Sequence, residues 1–168
     1  MKVRKIVFTV LGAIVIYVIA GTIYYTGKYS ATQPIEPVQA TQEVYVSKQD
    51  ELLNLTNAER QKASVAPLIE DEALNRSAQR KAEQMLAENN YSHVDSNNVH
   101  GYDYIADETS DCVLIAENIT NTNYPLAAIG SWMGSKKGHR EAILNIEYDY
   151  IGFGIVGNYT VQHFCSID

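Results

Sequence analysis

Ile151-Gly152-Phe153-Gly154-Ile155-Val156 and Tyr159-Thr160-Val161-Gln162-His163-Phe164 are two β-rich runs separated by Gly157-Asn158. Short runs of apolar and β-branched residues on either side of a turn-forming pair read as a β-hairpin. Upstream, Val113 to Ile119 is a third apolar run of strand length. Gly152, Gly154 and Gly157 also fit the letters of a dinucleotide-binding fingerprint, which needs a helix after the glycines and an acid about 20 residues on. Only 11 residues follow Gly157, and they read as a strand. The glycines therefore read as positions of close packing in the sheet.

Helical signals surround these strands. Leu126 to Met133 reads as a short helix, Gly134–Gly138 as an exposed loop, and His139 as the entry to a short helix carrying Ile143 and Leu144. Between Asp71 and Glu88, Leu74, Ala78, Ala82 and Met85 recur at helical spacing, and the small alanines let a neighbour come close. Arg76, Arg80 and Lys81 alternate with Glu72, Glu83 and Glu88, which predicts a solvated face. A first helix is expected to start at Ser47, with Asp50 completing a capping box. Leu52, Leu53 and Ala63 contribute to its apolar face, and Arg60 is expected outside that face. Asn89 to Ser110 reads as irregular. Two helices, a strand, a short helix and a hairpin predict an α/β sandwich, with helices covering a small antiparallel sheet.

The chain has 168 residues, 46% of them hydrophobic, with a net charge of -7. Residues 1–30 hold Lys2, Arg4, Lys5 and Lys28 and no acid, leaving 9 basic against 20 acidic residues beyond them. So acidic a domain has no basic surface for phosphates, and no nucleic-acid partner is expected. Ile6 to Tyr25 carries no charge, and about 20 helical residues cross a ~30 Å hydrocarbon core. With three basic residues in front, this predicts a signal-anchor helix within 1–28 and the remainder of the chain outside the cell. Secretion after signal-peptide cleavage is the alternative. The best cleavage candidate, Val18-Ile19-Ala20, lies inside the apolar run and argues for retention. Residues 29–47, with Pro34 and Pro37, read as a linker, and 48–168 as the domain.

Cys112 and Cys165 form an even pair in an exported segment, which predicts a disulfide; a thiol paired with a histidine is the alternative. His93, Glu117 and His139 are polar residues beside apolar stretches. Two imidazoles and a carboxylate make an open zinc site or an acid/base set. Their separations of 24 and 22 positions do not bring them together, and each could equally be satisfied on its own. His100 and His163 have no evident partner and read as solvated or packed.

Several fragments, in order, resemble the CAP superfamily of SCP-like extracellular domains. They are Asn57-Ala58-Glu59-Arg60 with Pro67-Leu68, Tyr91-Ser92-His93, Ala116-Glu117-Asn118-Ile119, Trp132-Met133 with Gly138-His139-Arg140, and the closing hairpin. The resemblance covers roughly Lys48 to Cys165 and implies a three-layer α-β-α sandwich. It also implies that His93, Glu117 and His139 line one cavity able to hold a divalent cation such as zinc. Ser135 stands where many eukaryotic members have a second cavity glutamate, and Ala142 where an asparagine is common. The functional expectation is a membrane-anchored extracytoplasmic module that binds a metal, lipid, peptide or envelope ligand. The alternative is a metal-assisted hydrolase of peptide, phosphodiester or glycan bonds.

Overall fold

The computed structural model describes residues 15–19, 22–26 and 46–167. Residues 1–43 and 44–168 are separate units. In the first, β1 (Val15–Ile19) pairs antiparallel with β2 (Thr22–Thr26), Val15 opposite Thr26. The sequence predicts a helix here, and no described helix is long and apolar enough to cross a membrane. Val, Ile, Thr and Tyr dominate these ten residues, and their stiff side chains favour extended backbone. A wholly apolar run has no polar period to separate helix from strand. The rest of the expected anchor, and the linker up to residue 45, lie outside the described residues.

In the second unit α1 (Lys48–Lys62) starts where the capping box predicts: Asp50 N–H donates to Ser47 Oγ at 3.0 Å, and Ser47 N–H to Asp50 Oδ2 at 3.2 Å. β3 (Ile69–Glu70) is a two-residue strand. α2 (Glu72–Glu88) begins at Asp71, whose side chain accepts from Leu74 N–H at 2.9 Å, and ends at the left-handed Asn89. α3 (Gly101–Glu108) is a helix inside the stretch expected to be irregular. Its buried face is only Gly101, Tyr104 and Ile105, too few positions for a periodic signal in so polar a segment. Then come β4 (Leu114–Thr120), α4 (Pro125–Met133), α5 (His139–Leu144), β5 (Tyr150–Val156) and β6 (Tyr159–Ser166).

The sheet order is β3-β5-β6-β4, antiparallel except for the short parallel pair β3–β5. One face packs Ile151, Phe153 and Phe164 against Leu52 of α1, Ile129 and Trp132 of α4, and Ile143 of α5. The other packs Val161 and Ile119 against Ala78, Ala82 and Met85 of α2, with Leu74, Ile105 and Cys165 beside them. Helices thus cover both faces. Cys112 and Cys165 form the expected disulfide, which ties β6 to the entry of β4.

Two charged residues lie where helical pattern did not place them. Arg60 is 1% exposed. Its guanidinium donates to the carbonyls of Ala66, Ile143, Asn145 and Tyr148, joining α1 to the end of α5 and the approach to β5. Lys81 is fully buried. Its ammonium donates to Gln84 Oε1 at 2.8 Å and lies 5.6 Å from the Tyr104 ring centre. A charge spaced for solvent goes inside when enough oxygens or a ring face meet it.

α2 seats directly on β5. A Cβ on Gly152 would run into the backbone at Leu74 and Asn75, and one on Gly154 into Ala78. Beyond the short β3, two α2 side chains cap the outer edge of β5: Phe153 N–H donates to Asn75 Oδ1 at 2.7 Å and Ile155 N–H to Gln79 Oε1 at 3.2 Å. The glycines therefore serve helix-on-sheet contact. Gly130 on α4 is exposed, and a Cβ there would meet nothing within 4 Å. Gly154→Ala should lose about 1–3 kcal/mol by forcing α2 off the sheet. Gly130→Ala should gain about 0.5–1 kcal/mol through helix propensity. Urea unfolding midpoints check both, and equal midpoints would refute the close contact.

Candidate functional site

Strand alternation builds the site. Successive residues of β4 point to opposite faces, so Glu117 faces α2 while Asn118 faces α4 and α5. The register places His163 opposite Glu117 and Gln162 opposite Asn118. Both pairs are bonded. Glu117 Oε2 lies 3.0 Å from His163 Nε2, and Asn118 Nδ2 donates to Gln162 Oε1 at 3.1 Å. Gln162 in turn donates to Thr56 of α1 at 2.9 Å.

Each of these two neighbours holds one histidine at the edge strand β4. Glu117 Oε1 lies 2.6 Å from His93 Nδ1. Asn118 Nδ2 donates to the backbone carbonyl of His139 at 3.1 Å. The two imidazoles face one another, centroids 6.4 Å apart and planes inclined by 26°. His93, Glu117 and His139 thus lie together. His93 is tied from behind by Gly101 N–H donating to its carbonyl at 3.0 Å. Gly101 also presses on the Glu117 carboxylate so closely that a Cβ there would overlap it. His139 opens α5 after Gly138, whose φ of 93° suits glycine, and its Nδ1 lies 2.9 Å from Ser135 Oγ.

His163, expected to lack a partner, is fully buried and bonded on both sides. Its Nδ1 lies 2.7 Å from Ser77 Oγ, and that hydroxyl lies 2.9 Å from the Leu74 carbonyl. No local pattern could reveal this, because the β4–β6 register and the α2 seating are both long-range. His100 stacks on Tyr102, centroids 4.7 Å apart. The two line a pocket of about 260 Å³ together with His93, Gly101, Ile115, Ala116 and Glu117.

Burial alone would raise the Glu117 carboxyl, but hydrogen bonds from His163 and His93, with their charge, outweigh it and hold the group below the usual carboxylate range. Burial, reinforced by the nearby charges of His93 and Lys137, pushes His139 below the ordinary imidazole value. Lys81 is lowered by burial too, against the pull of Glu117, Asp95 and Glu88.

Among the described residues, no group of three or more His, Cys, Asp or Glu side chains is arranged to hold a metal ion. Both oxygens of Glu117 are engaged by histidines. Of the three expected residues only the two imidazoles keep a nitrogen outside these bonds, and Glu117 stands behind His93 as an orienting acceptor.

Residues 53–167 match the family described as CAP, Cysteine-rich secretory protein family. Uncharacterized protein YkwD of Bacillus subtilis (strain 168) is 34% identical over 116 residues, 67% of this chain and 45% of that protein. Uncharacterized membrane protein YlbC of the same organism is 32% identical over 123 residues, 72% of this chain and 35% of that protein. The chain thus spans less than half the length of these curated relatives. An extracellular protein containing a SCP domain from Bacillus anthracis str. Ames superposes with a TM-score of 0.68 at 23% identity, covering 86% of this chain and 46% of that one. An outer surface protein from Borrelia burgdorferi gives 0.66 at 18% identity, covering 73% and 97%. At such identities the structural likeness speaks for the fold. The sequence match over most of the domain settles the lineage, and the chain belongs to the cysteine-rich secretory protein (CAP) family.

Proposed function

We propose that this protein is an extracytoplasmic binding module whose site is the pocket walled by His93 and His100 and floored by Glu117. The observation that carries this reading is the use of Glu117. Its carboxylate is taken up by His163 and His93, while the His93 side chain is 52% exposed with its second nitrogen free of partners among the described residues. Such a site offers a well-oriented nitrogen to a ligand and leaves no spare carboxylate to activate a water. Binding is favoured over metal-assisted hydrolysis on that ground. The pocket, at about 260 Å³, falls below the roughly 300–1,000 Å³ of clefts that enclose drug-sized ligands. It suits a cation or a single group of a larger peptide, lipid or envelope ligand.

The location follows from the N-terminal segment. The uncharged run Ile6–Tyr25 behind Lys2, Arg4 and Lys5 attaches the domain to a membrane, with residues 48–168 outside. In lipid, a two-stranded hairpin would leave edge N–H and C=O groups unpaired, a cost that a helical span avoids. The membrane designation of YlbC and the extracellular one of the Bacillus anthracis protein support this reading.

Zinc titrated into the full-length protein should show one saturable site. His93→Ala or His139→Ala should weaken it by at least about tenfold, as changes at a metal's supporting residues do. Because the folded His139 holds its proton less well than ordinary imidazole, proton competition at that residue sets in below the ordinary value of 6.5. Zinc binding absent, or untouched by both substitutions, would refute the cation reading. Separately, the full chain should stay with membranes through alkaline carbonate washing. A variant lacking residues 6–25 should be released, and release of both would refute the anchor.

A further inference from the structure

We propose that His163 and Ser77 are positioning residues that fix the tautomer of His93, so that the pocket receives a bare ring nitrogen. Leu74 C=O, Ser77 Oγ, the His163 ring, the Glu117 carboxylate and the His93 ring form one unbroken chain of contacts of 2.9, 2.7, 3.0 and 2.6 Å. Its proton inventory is short. The Leu74 carbonyl can only accept, and the ionised Glu117 can only accept. Ser77 has one hydroxyl proton: turned to His163 Nδ1 it leaves a neutral ring with its proton on Nε2, and turned to Leu74 it is met by an Nδ1–H, so that the ring carries a proton on both nitrogens. In either case the contact with the carboxylate needs a proton on His163 Nε2. Glu117 Oε2 is thereby occupied, and Oε1 is left facing His93 Nδ1 at 2.6 Å. That contact also needs a proton, and the only group able to supply it is His93 Nδ1. A neutral imidazole carries one N–H, so His93 Nε2 is bare.

The geometry around the chain makes the pinning effective. His163 lies between Gly152 on β5 and Glu117 on β4 in the sheet register, fully buried. Gly101 closes over the other side of the carboxylate. Glu117 therefore has one orientation as long as His163 holds it. His139 lacks such backing. Its Nδ1 meets only the Ser135 hydroxyl, which can give or take a proton, so its tautomer is left open.

The inference rests on the reading of this pocket as the binding site and names the chemistry it takes: an electron-pair acceptor. That is either a divalent cation or an N–H or O–H of an organic ligand. The test uses full-length protein labelled with ¹⁵N at histidine, free of metal and held above the imidazole range, where long-range ¹⁵N–¹H spectra report which nitrogen carries the proton. Wild type should show His93 as a single Nδ1–H form. His163→Phe removes the donor to Glu117 while keeping a planar ring, and His93 should revert to the mixture of free histidine, in which Nε2–H predominates. His163→Gln supplies an N–H donor again and should restore the Nδ1–H form. Ser77→Ala should raise the Nε2–H share above that of wild type, and this arm carries the test if His163→Phe does not fold. A His93 spectrum unchanged in the folded Phe and Ala variants would overturn the proposal, since a purely structural role for His163 would alter melting and leave the tautomer alone. Zinc added to the same samples separates the two readings. An intact tautomer effect without zinc-induced shifts at His93 would sink the cation reading and leave the positioning role standing.

Discussion

The seating of α2 on β5 at Gly152 and Gly154 is the constraint on which both the domain and its site depend. Two missing side chains let the helix backbone touch the strand, and Asn75 and Gln79 bond the strand edge. At that depth Ala78, Ala82 and Met85 meet Val161 and Ile119 and close one half of the core. Ser77, on the same turn, reaches His163, which reaches Glu117. A helix raised by the thickness of a methyl group would break the first of these contacts. It would also leave a buried imidazole nitrogen unpaired, a loss of about 1–3 kcal/mol in addition to the packing.

The period of the strand then divides the work. Glu117 and Asn118 are adjacent, so they necessarily serve opposite faces of β4. Because β4 is the sheet's edge, the groups they hold can meet beyond it, and His93 and His139 do. A buried carboxylate in a domain with excess acid is costly by itself. Two imidazoles at hydrogen-bonding distance and the buried Lys81 in the same neighbourhood offset that cost. The acidic balance of the chain describes its surface. The neighbourhood of Glu117 is set by three nitrogen-bearing side chains: Lys81 of α2, His163 of β6 and His93 of the loop between α2 and α3.

What could be read in the sequence was what physics keeps local. Ser47 with Asp50 signalled a helix start, because a cap bonds within one turn. The alanine spacing of α2 and the glycines of the hairpin signalled contact faces. What escaped was non-local. Arg60 and Lys81 carry charge at positions that local pattern assigns to solvent, yet Arg60 is met by carbonyls far along the chain and Lys81 by the Tyr104 ring of α3 as well as by Gln84 of its own helix. His163 looked solitary because the partner across the sheet is 46 positions away. α3 was hidden by its brevity, and β1–β2 by an apolar run with no polar period to separate strand from helix. That His93, Glu117 and His139 lie near one another was expected through resemblance alone, since nothing in their spacing required them to meet; His93 and Glu117 line the pocket and His139 stands beside His93.

The two histidines, once together, are not equivalent, and the reason is Ser135. Where many members of the family have a second cavity glutamate, this chain backs His139 with a hydroxyl that also accepts the Lys137 N–H at 3.1 Å. A hydroxyl polarises an imidazole far less than a carboxylate does. His93, backed by Glu117, is therefore the more electron-rich of the pair at its free nitrogen, while burial and its neighbours' charges push His139 below the ordinary imidazole value. A single strong nitrogen beside a weaker one holds a bare cation less firmly than two carboxylate-backed histidines would. On the proposed binding reading the same asymmetry suits a ligand that brings its own oxygen or amide to complete the contact, because His93 accepts strongly while His139 beside it can give or take. Family membership leaves that choice open; on the proposed binding reading, a hydroxyl at Ser135 in place of an acid favours the ligand-completed form.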